Sequence, residues 1–147
     1  MPIQSLGHVV VNVRDLARAE RFYSGILGLP IVARLDELGG MTFFSLGNHH
    51  DFAIHAVGPD APDADWMGSL GLFHVAFKVG DSLDDLRDWK ERLEANGVKI
   101  ELQADHTVTH SLYVRDPDGN GVELYVDSSD VWKQDPQTVA TMKPLDI

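Results

Sequence analysis

Residues 7–13 read GHVVVNV, and residues 73–79 read FHVAFKV. Both runs are rich in the β-branched and aromatic residues that favour strands, and each carries a histidine at its second position. Further along, residues 27–29 (LGL) match residues 96–98 (NGV), where a helical pattern ends in each half. Self-similarity of this kind indicates two copies of one supersecondary unit.

Each half predicts the order strand, helix, strand, strand, strand. In the first half, Asp15 caps the helix, Gly28 ends it, and the strands are expected at residues 6–13, 31–35, 41–46 and 51–57. In the second half, Ser82 caps the helix, Asn96 and Gly97 stop it, and the strands are expected at residues 72–79, 98–102, 108–114 and 121–126.

One such unit is too small to bury its sheet, whereas two paired units close a curved mixed sheet around a shared cavity, with the helices outside. The prediction is an α+β fold of two βαβββ modules in a single domain spanning residues 1–147. Module 1 covers about residues 5–57, a linker about 58–71, and module 2 about 72–127. Residues 128–147 are expected to form a tail docked on the surface, with Trp132 as its large anchor.

Composition narrows the classes of partner and cofactor. A formal net charge of −11 repels nucleic acid and anionic membrane surfaces and favours a small molecule or a protein as partner. The absence of cysteine excludes disulfides, zinc-thiolate sites, iron-sulfur clusters and a thiol nucleophile, and it is compatible with a cytoplasmic setting. Residues 1–30 show no secretory leader, and no segment is long enough to span a bilayer.

A carboxylate stands in the last predicted strand. Residues 112–126 (LYVRDPDGNGVELYV) read as a hairpin whose turn is the polar run 116–121, and Glu123 lies between Val122 and Leu124. Burying this carboxylate unpaired would cost several kcal/mol. It therefore needs a cation, a hydrogen-bond network or a metal, unless that face of the strand is wet.

The seven histidines all fall on predicted strands or strand edges: His8, His49, His50, His55, His74, His106 and His110. His8 and His74 occupy equivalent places in the two halves, so approximate two-fold symmetry would bring them together, and Glu123 could join them. Two imidazoles and one carboxylate on one face of an octahedral ion form the facial triad of non-haem iron(II) oxygenases.

The sequence resembles the vicinal oxygen chelate superfamily of glyoxalases, drug-resistance binding proteins and type I extradiol ring-cleaving dioxygenases. The resemblance covers about residues 5–127 and rests on the doubled element order, on residues 7–13, and on Phe22-Tyr23 followed by residues 27–29. This family implies the glyoxalase/bleomycin resistance/dihydroxybiphenyl dioxygenase fold around a metal-centred cavity.

Within the superfamily, the small catechol 2,3-dioxygenase-like extradiol enzymes give the most specific match. Their signature places a histidine, a tyrosine, an Asp-Pro-x-Gly turn and the ligand glutamate in order, here His106, Tyr113, residues 116–119 and Glu123. One departure is Ala104, at a position where the signature prefers glycine or one of a few other residues. Residues 50–53 (HDFA) are similar to the stretch that holds the acid–base histidine, here His50.

The resemblance implies an oxidoreductase of aromatic catabolism that inserts O2 into a small catechol-type diol, and a short chain of this fold is expected to form a homodimer. His8, His74 and Glu123 would bind Fe(II), or Mn(II), with one net positive charge that suits a catecholate monoanion. His50 would move protons. Tyr113 would donate a hydrogen bond to a substrate oxygen, with His106 assisting at the same edge.

Two other functions stay open on the sequence. A glyoxalase-type isomerase needs a carboxylate on the last strand of module 1, where residues 52–54 offer none and Asp51 would require a register shift; an inward His55 would supply a fourth ligand. A drug-binding module of the same fold would leave the triad unexplained. The substrate depends on which aromatic residues line the cavity: Phe43, Phe44, Phe73, Phe77 or Trp66.

Overall fold

The computed structural model describes residues 2–37, 39–65 and 68–147. These residues form two compact units: the first comprises Met1–Ala64 with Asp116–Asp118, and the second comprises Asp65–Arg115 with Gly119–Ile147. Trp66 lies outside the described residues, so its predicted place in a cavity is not assessed.

The first unit contains one helix and a four-stranded sheet. Its elements are β1 (Val9–Val13), α1 (Leu16–Glu20) continuing into a π-helical turn (Arg21–Ile26), β2 (Ile31–Leu35), β3 (Met41–Phe44) and β4 (Phe52–Ala56). The strand order is β1-β4-β3-β2, with β1 and β4 parallel and the other pairs antiparallel. Its core includes the fully buried Tyr23, Phe44, Phe52 and Ile54.

The helix of the first unit begins and ends where the sequence predicts. The Asp15 side chain accepts a hydrogen bond from Arg18 N at 2.7 Å, and Gly28 ends the helical segment with a φ of 78°. The π-helical turn was not predicted; within it the amide of Leu27 donates to Phe22 O.

The second unit repeats this order and adds a C-terminal extension. Its elements are β5 (Val75–Gly80), α2 (Leu83–Ala95), β6 (Leu102–Asp105), β7 (Thr109–Arg115), β8 (Gly121–Asp127), two 3-10 turns (Val131–Lys133 and Pro136–Ala140) and β9 (Lys143–Pro144). The strand order is β5-β8-β7-β6-β9, with β5 and β8 parallel and the other pairs antiparallel. Leu86, Leu93, Leu112 and Leu124 are buried in its core.

The strand predicted at residues 98–102 is wrong. Gly97 leaves α2 with a φ of 70°, and the amide of Val98 donates back to Leu93 O, so these residues complete the helix exit. Pairing with β7 begins only at Glu101, whose amide donates to Tyr113 O, and β6 therefore starts at Leu102.

In the C-terminal tail, residues 128–147, Trp132 is 43% exposed, and its role as the anchor stays a prediction. The tail is held through β9, which pairs antiparallel with Ala104 and Asp105 at the edge of the sheet. The sequence signal missed this because a two-residue strand carries no periodicity.

The α+β class and the doubled βαβββ order are confirmed. The closure of both modules around one cavity and the single-domain arrangement stay predictions. None of the helices in residues 2–37, 39–65 and 68–147 combines the length and apolarity that crossing a bilayer requires.

Candidate metal centre

Glu123 is buried and paired. It is the third residue of β8, is 8% exposed, and lies opposite Ala76 in the parallel pairing of β5 and β8. His74, just before β5, places its Nε2 3.0 Å from Oε2 of Glu123. The wet-face explanation for this carboxylate is therefore wrong, and its partner is the histidine named by the sequence repeat.

Gly121 makes this approach possible. A Cβ at this position would lie 2.4 Å from Phe73 O and 3.1 Å from the Cβ of His74. Only a residue without a side chain allows β8 to pass this close to the segment that carries His74.

The pair fits a divalent metal. Two neighbouring donors of an octahedral ion, each about 2.1 Å from it, lie about 3.0 Å apart, which is also the separation of His74 Nε2 and Glu123 Oε2. A neutral imidazole and a carboxylate are donors that iron(II) and manganese(II) accept. His74 Nδ1 is buried and lacks a protein partner among the described residues, so no second hydrogen bond fixes the ring.

Tyr113 and His106 lie beside this pair. In the antiparallel pairing of β7 and β8, Tyr113 is directly opposite Glu123, and its ring centroid is 5.5 Å from that of His74. Burial, and then the nearby Glu123 carboxylate, raise the pKa of Tyr113 well above its ordinary value. Its hydroxyl oxygen lies 2.8 Å from His106 Nε2. The second unit thus brings four predicted site residues together.

The first unit gathers three histidines. The ring centroids of His8 and His50 are 4.2 Å apart, and Nδ1 of His49 lies 2.8 Å from Nδ1 of His50. One nitrogen from each of the three lies within 4.8 Å of the others, a spacing that suits shared metal ligation. Partial desolvation, followed by His8 and His49, lowers the pKa of His50, which favours its neutral form.

His49 was missed by sequence reasoning, which left it as a surface or structural residue. The signal was its position next to His50 in a turn that Asp51 holds by accepting from the amides of Leu46 and Asn48. His55 is not a member of this cluster among the described residues; its Nδ1 lies 3.1 Å from Asn12 Oδ1 on the neighbouring strand.

The acidic residues of the signature turn have structural partners in the first unit. Asp116 accepts a hydrogen bond from the buried Tyr23 hydroxyl at 2.9 Å. Asp118, also buried, accepts from the Arg14 guanidinium at 2.8 Å and from the Arg14 amide at 3.0 Å. These contacts explain the residue types at both positions without any catalytic role.

His8 belongs to the first unit, whereas His74 and Glu123 belong to the second. The complete triad of His8, His74 and Glu123 therefore stays a prediction.

Residues 5–124 match the model of the Glyoxalase/Bleomycin resistance protein/Dioxygenase superfamily. The chain belongs to this superfamily. The family resemblance found in the sequence is thereby confirmed, and so is the fold: a glyoxylase/bleomycin resistance protein/dioxygenase domain from Frankia sp. EAN1pec superimposes with a TM-score of 0.70 at 24% identity, covering 86% of this chain and 100% of that one.

Two curated relatives of this superfamily member are named as dioxygenases. Biphenyl-2,3-diol 1,2-dioxygenase 2 of Rhodococcus globerulus is 32% identical over 121 residues, covering 82% of this chain and 62% of the relative. Catechol-2,3-dioxygenase of Bacillus subtilis (strain 168) is 29% identical over 145 residues, covering 97% of this chain and 49% of the relative. The chain thus spans between about half and two thirds of the length of these relatives.

Function varies among its relatives. They also include proteins named as a glutathione transferase and a methylmalonyl-CoA epimerase. Membership by itself therefore leaves the activity to be argued from the residues of the site.

Proposed function

We propose that this protein is an extradiol dioxygenase that cleaves the ring of a small catechol-type diol with O2, using Fe(II), or alternatively Mn(II), bound by His8, His74 and Glu123. The observation that carries the proposal is the buried Glu123 carboxylate, with His74 Nε2 at 3.0 Å and Tyr113 on the facing strand. The named diol dioxygenases among its relatives support the same reaction.

A metal explains the carboxylate better than a structural ion pair does. A buried pair held only for stability is of little net value, because the desolvation cost offsets the attraction. When bound, the metal would hold diol and O2 side by side and let electrons pass between them.

The protein residues orient the diol and manage its protons. His50, whose pKa is lowered, is a free base near neutral pH and would take the proton from one diol hydroxyl. The ring centroid of His8, a proposed metal ligand, is 4.2 Å from that of His50. This base would therefore lie next to a metal ligand. The Tyr113 hydroxyl oxygen lies 2.8 Å from His106 Nε2. These two residues would contact the other diol oxygen.

The glyoxalase-type isomerase is the weaker hypothesis. Strand β4 (Phe52–Ala56) carries no carboxylate, and Asp51 just before it accepts hydrogen bonds from two turn amides. A binding module without metal would leave the buried Glu123 without a role.

The test is metal content by mass spectrometry on protein purified anaerobically, combined with oxygen uptake over a panel of catechol, biphenyl and fused-ring diols. We expect iron or manganese at about one ion per chain, with diol-dependent oxygen uptake and a yellow ring-fission product. Nickel or zinc without oxygen uptake would favour the isomerase. Failure to bind metal after reconstitution would refute the triad and leave a binding module.

A further inference from the structure

The three clustered histidines of the first unit lie where two of its strands begin. His8 directly precedes β1, and His49 and His50 lie in the turn that connects β3 to β4. The parallel pairing of β1 with β4 starts at this end of the sheet, where the amide of Val9 donates to Asp51 O at 3.1 Å. Strand pairing within one unit therefore brings the three rings together.

The turn that carries His49 and His50 is held by its own hydrogen bonds. The Asp51 carboxylate accepts from two turn amides, and Asn48 Oδ1 accepts from the His49 amide at 2.9 Å. The ring of His50 also packs edge-on against Phe43, with the ring centroids 5.3 Å apart. Because the Asp51 carboxylate is engaged in the turn, the cluster offers a metal ion three imidazoles.

The ring nitrogens are spaced for one shared ion. Nδ1 of His49 and Nδ1 of His50 lie 2.8 Å apart, and one nitrogen of His8 lies within 4.8 Å of the nitrogens of the other two. A tetrahedral zinc ion with bonds of about 2.0–2.1 Å to imidazole needs its donors about 3.3 Å apart. The rings of His8 and His49 are exposed, so side-chain rotation supplies the difference.

We propose that His8, His49 and His50 form a second metal site, which binds zinc(II) through three imidazoles and leaves a fourth position for water. Imidazole suits zinc, whereas manganese prefers oxygen ligands and iron(II) binds a given nitrogen site more weakly than zinc does. This site needs neither His74 nor Glu123. Its consequence rests on the proposed function: zinc held here withdraws His8 from the triad and His50 from its role as base, and so inhibits ring cleavage.

The first test measures zinc binding to the full chain carrying Glu123→Gln, which lacks the anionic donor of the proposed iron site but keeps the three clustered histidines. We expect about one zinc ion per chain, and we expect His49→Gln in this background to weaken zinc binding at least about tenfold. His55→Gln, at a histidine of the same unit outside the cluster, is the matched control and should leave zinc affinity unchanged. Since the cluster favours zinc, iron or manganese content still reports on Glu123.

Histidine NMR identifies the rings that hold the ion. In the Glu123→Gln chain labelled with nitrogen-15 in histidine, zinc should shift the ring signals of His8, His49 and His50 and leave those of His55 in place. Zinc held with the help of Glu123, as in an isomerase site, would be lost from this chain. Absence of zinc binding, unshifted His49 signals, or an affinity that His49→Gln leaves unchanged would each overturn the proposal.

Inhibition separates this proposal from the proposed function. In the iron-loaded chain zinc should inhibit diol cleavage, and His49→Gln should raise the zinc concentration that halves its own rate at least about tenfold, in step with the lost affinity. Equal zinc sensitivity in both chains would overturn the inhibitory role. If no diol is cleaved, the dioxygenase proposal fails while the zinc measurements stand, since they require no turnover. If diols are cleaved and Glu123→Gln binds no zinc, only the second site fails.

Discussion

At the scale of single residues, Glu123 is the position on which the proposed metal binding depends most. Glu123→Gln keeps the size of the side chain and its hydrogen bonding to His74 but removes the anionic donor. We expect metal affinity to fall more than about 100-fold, beyond the loss caused by removing an outer-shell partner, with the fold retained. Metal content after dialysis measures this. Glu101→Gln, at an exposed carboxylate paired with Lys99, is the matched control, and full metal content in Glu123→Gln would contradict the assignment.

The role proposed for His50 predicts how the activity depends on pH. In its proposed role as general base His50 must be neutral, so the rate of the proposed ring cleavage should fall as the pH drops through its pKa. That pKa is lowered by desolvation and by the neighbouring histidines, so the midpoint of the acid limb should lie below 6.5. The profile of kcat/KM against pH tests this. In His50→Gln the acid limb of the profile should disappear along with most of the activity. His55→Gln, at a histidine outside the cluster of three, should keep the acid limb.

At the scale of elements, the close approach of β8 to the segment before β5 sets the geometry of the candidate centre. Gly121→Ala places a Cβ against Phe73 O and should push His74 away from Glu123. We expect metal affinity to drop at least about tenfold and the free energy of unfolding to fall by about 1–3 kcal/mol, the usual cost of overpacking. Metal titration and urea unfolding measure the two effects. Gly25→Ala, at a helical position where an added Cβ meets nothing within 4 Å, should leave metal affinity unchanged and should not lower the free energy of unfolding.

Helix α2 depends on its N-terminal capping box. The Ser82 hydroxyl accepts from the Asp85 amide, and the Asp85 carboxylate accepts from the Ser82 amide. Hydrogen bonds from the Ser82 hydroxyl and then from the Asp81 amide lower the pKa of Asp85. Ser82→Ala should therefore reduce the free energy of unfolding by about 1 kcal/mol, measured by urea denaturation. The exposed Ser5 provides the control substitution. A loss as small as that of Ser5→Ala would show that tertiary packing alone maintains the start of the helix.

The elements show what local sequence can and cannot predict. Asp15 and Ser82 were identifiable as caps because capping is a contact between residues three apart. The register that sets Tyr113 opposite Glu123 was not, since strand pairing depends on both strands and a one-residue slip would turn either side chain to the other face. The contact of Thr141 with His106 joins residues 35 apart through a two-residue strand, and no periodic signal marks it.

At the scale of the whole molecule, all three tyrosines, Tyr23, Tyr113 and Tyr125, have pKa values raised above the ordinary value, chiefly by burial. The unfolded chain ionises them near pH 10, so stability that is complete below pH 10 should decline as the pH rises toward the native values. For Tyr23 the decline should approach about 1.4 kcal/mol per pH unit. The absorbance of tyrosinate at about 295 nm can be followed against pH for the native chain and for the chain unfolded in urea. Only the unfolded chain should ionise near pH 10, the ordinary pKa of tyrosine. Tyr23→Phe should lower stability at neutral pH, because Asp116 loses the hydrogen bond from this hydroxyl, and should flatten the alkaline decline. A native transition near pH 10 would mean that these hydroxyls are accessible to water in solution.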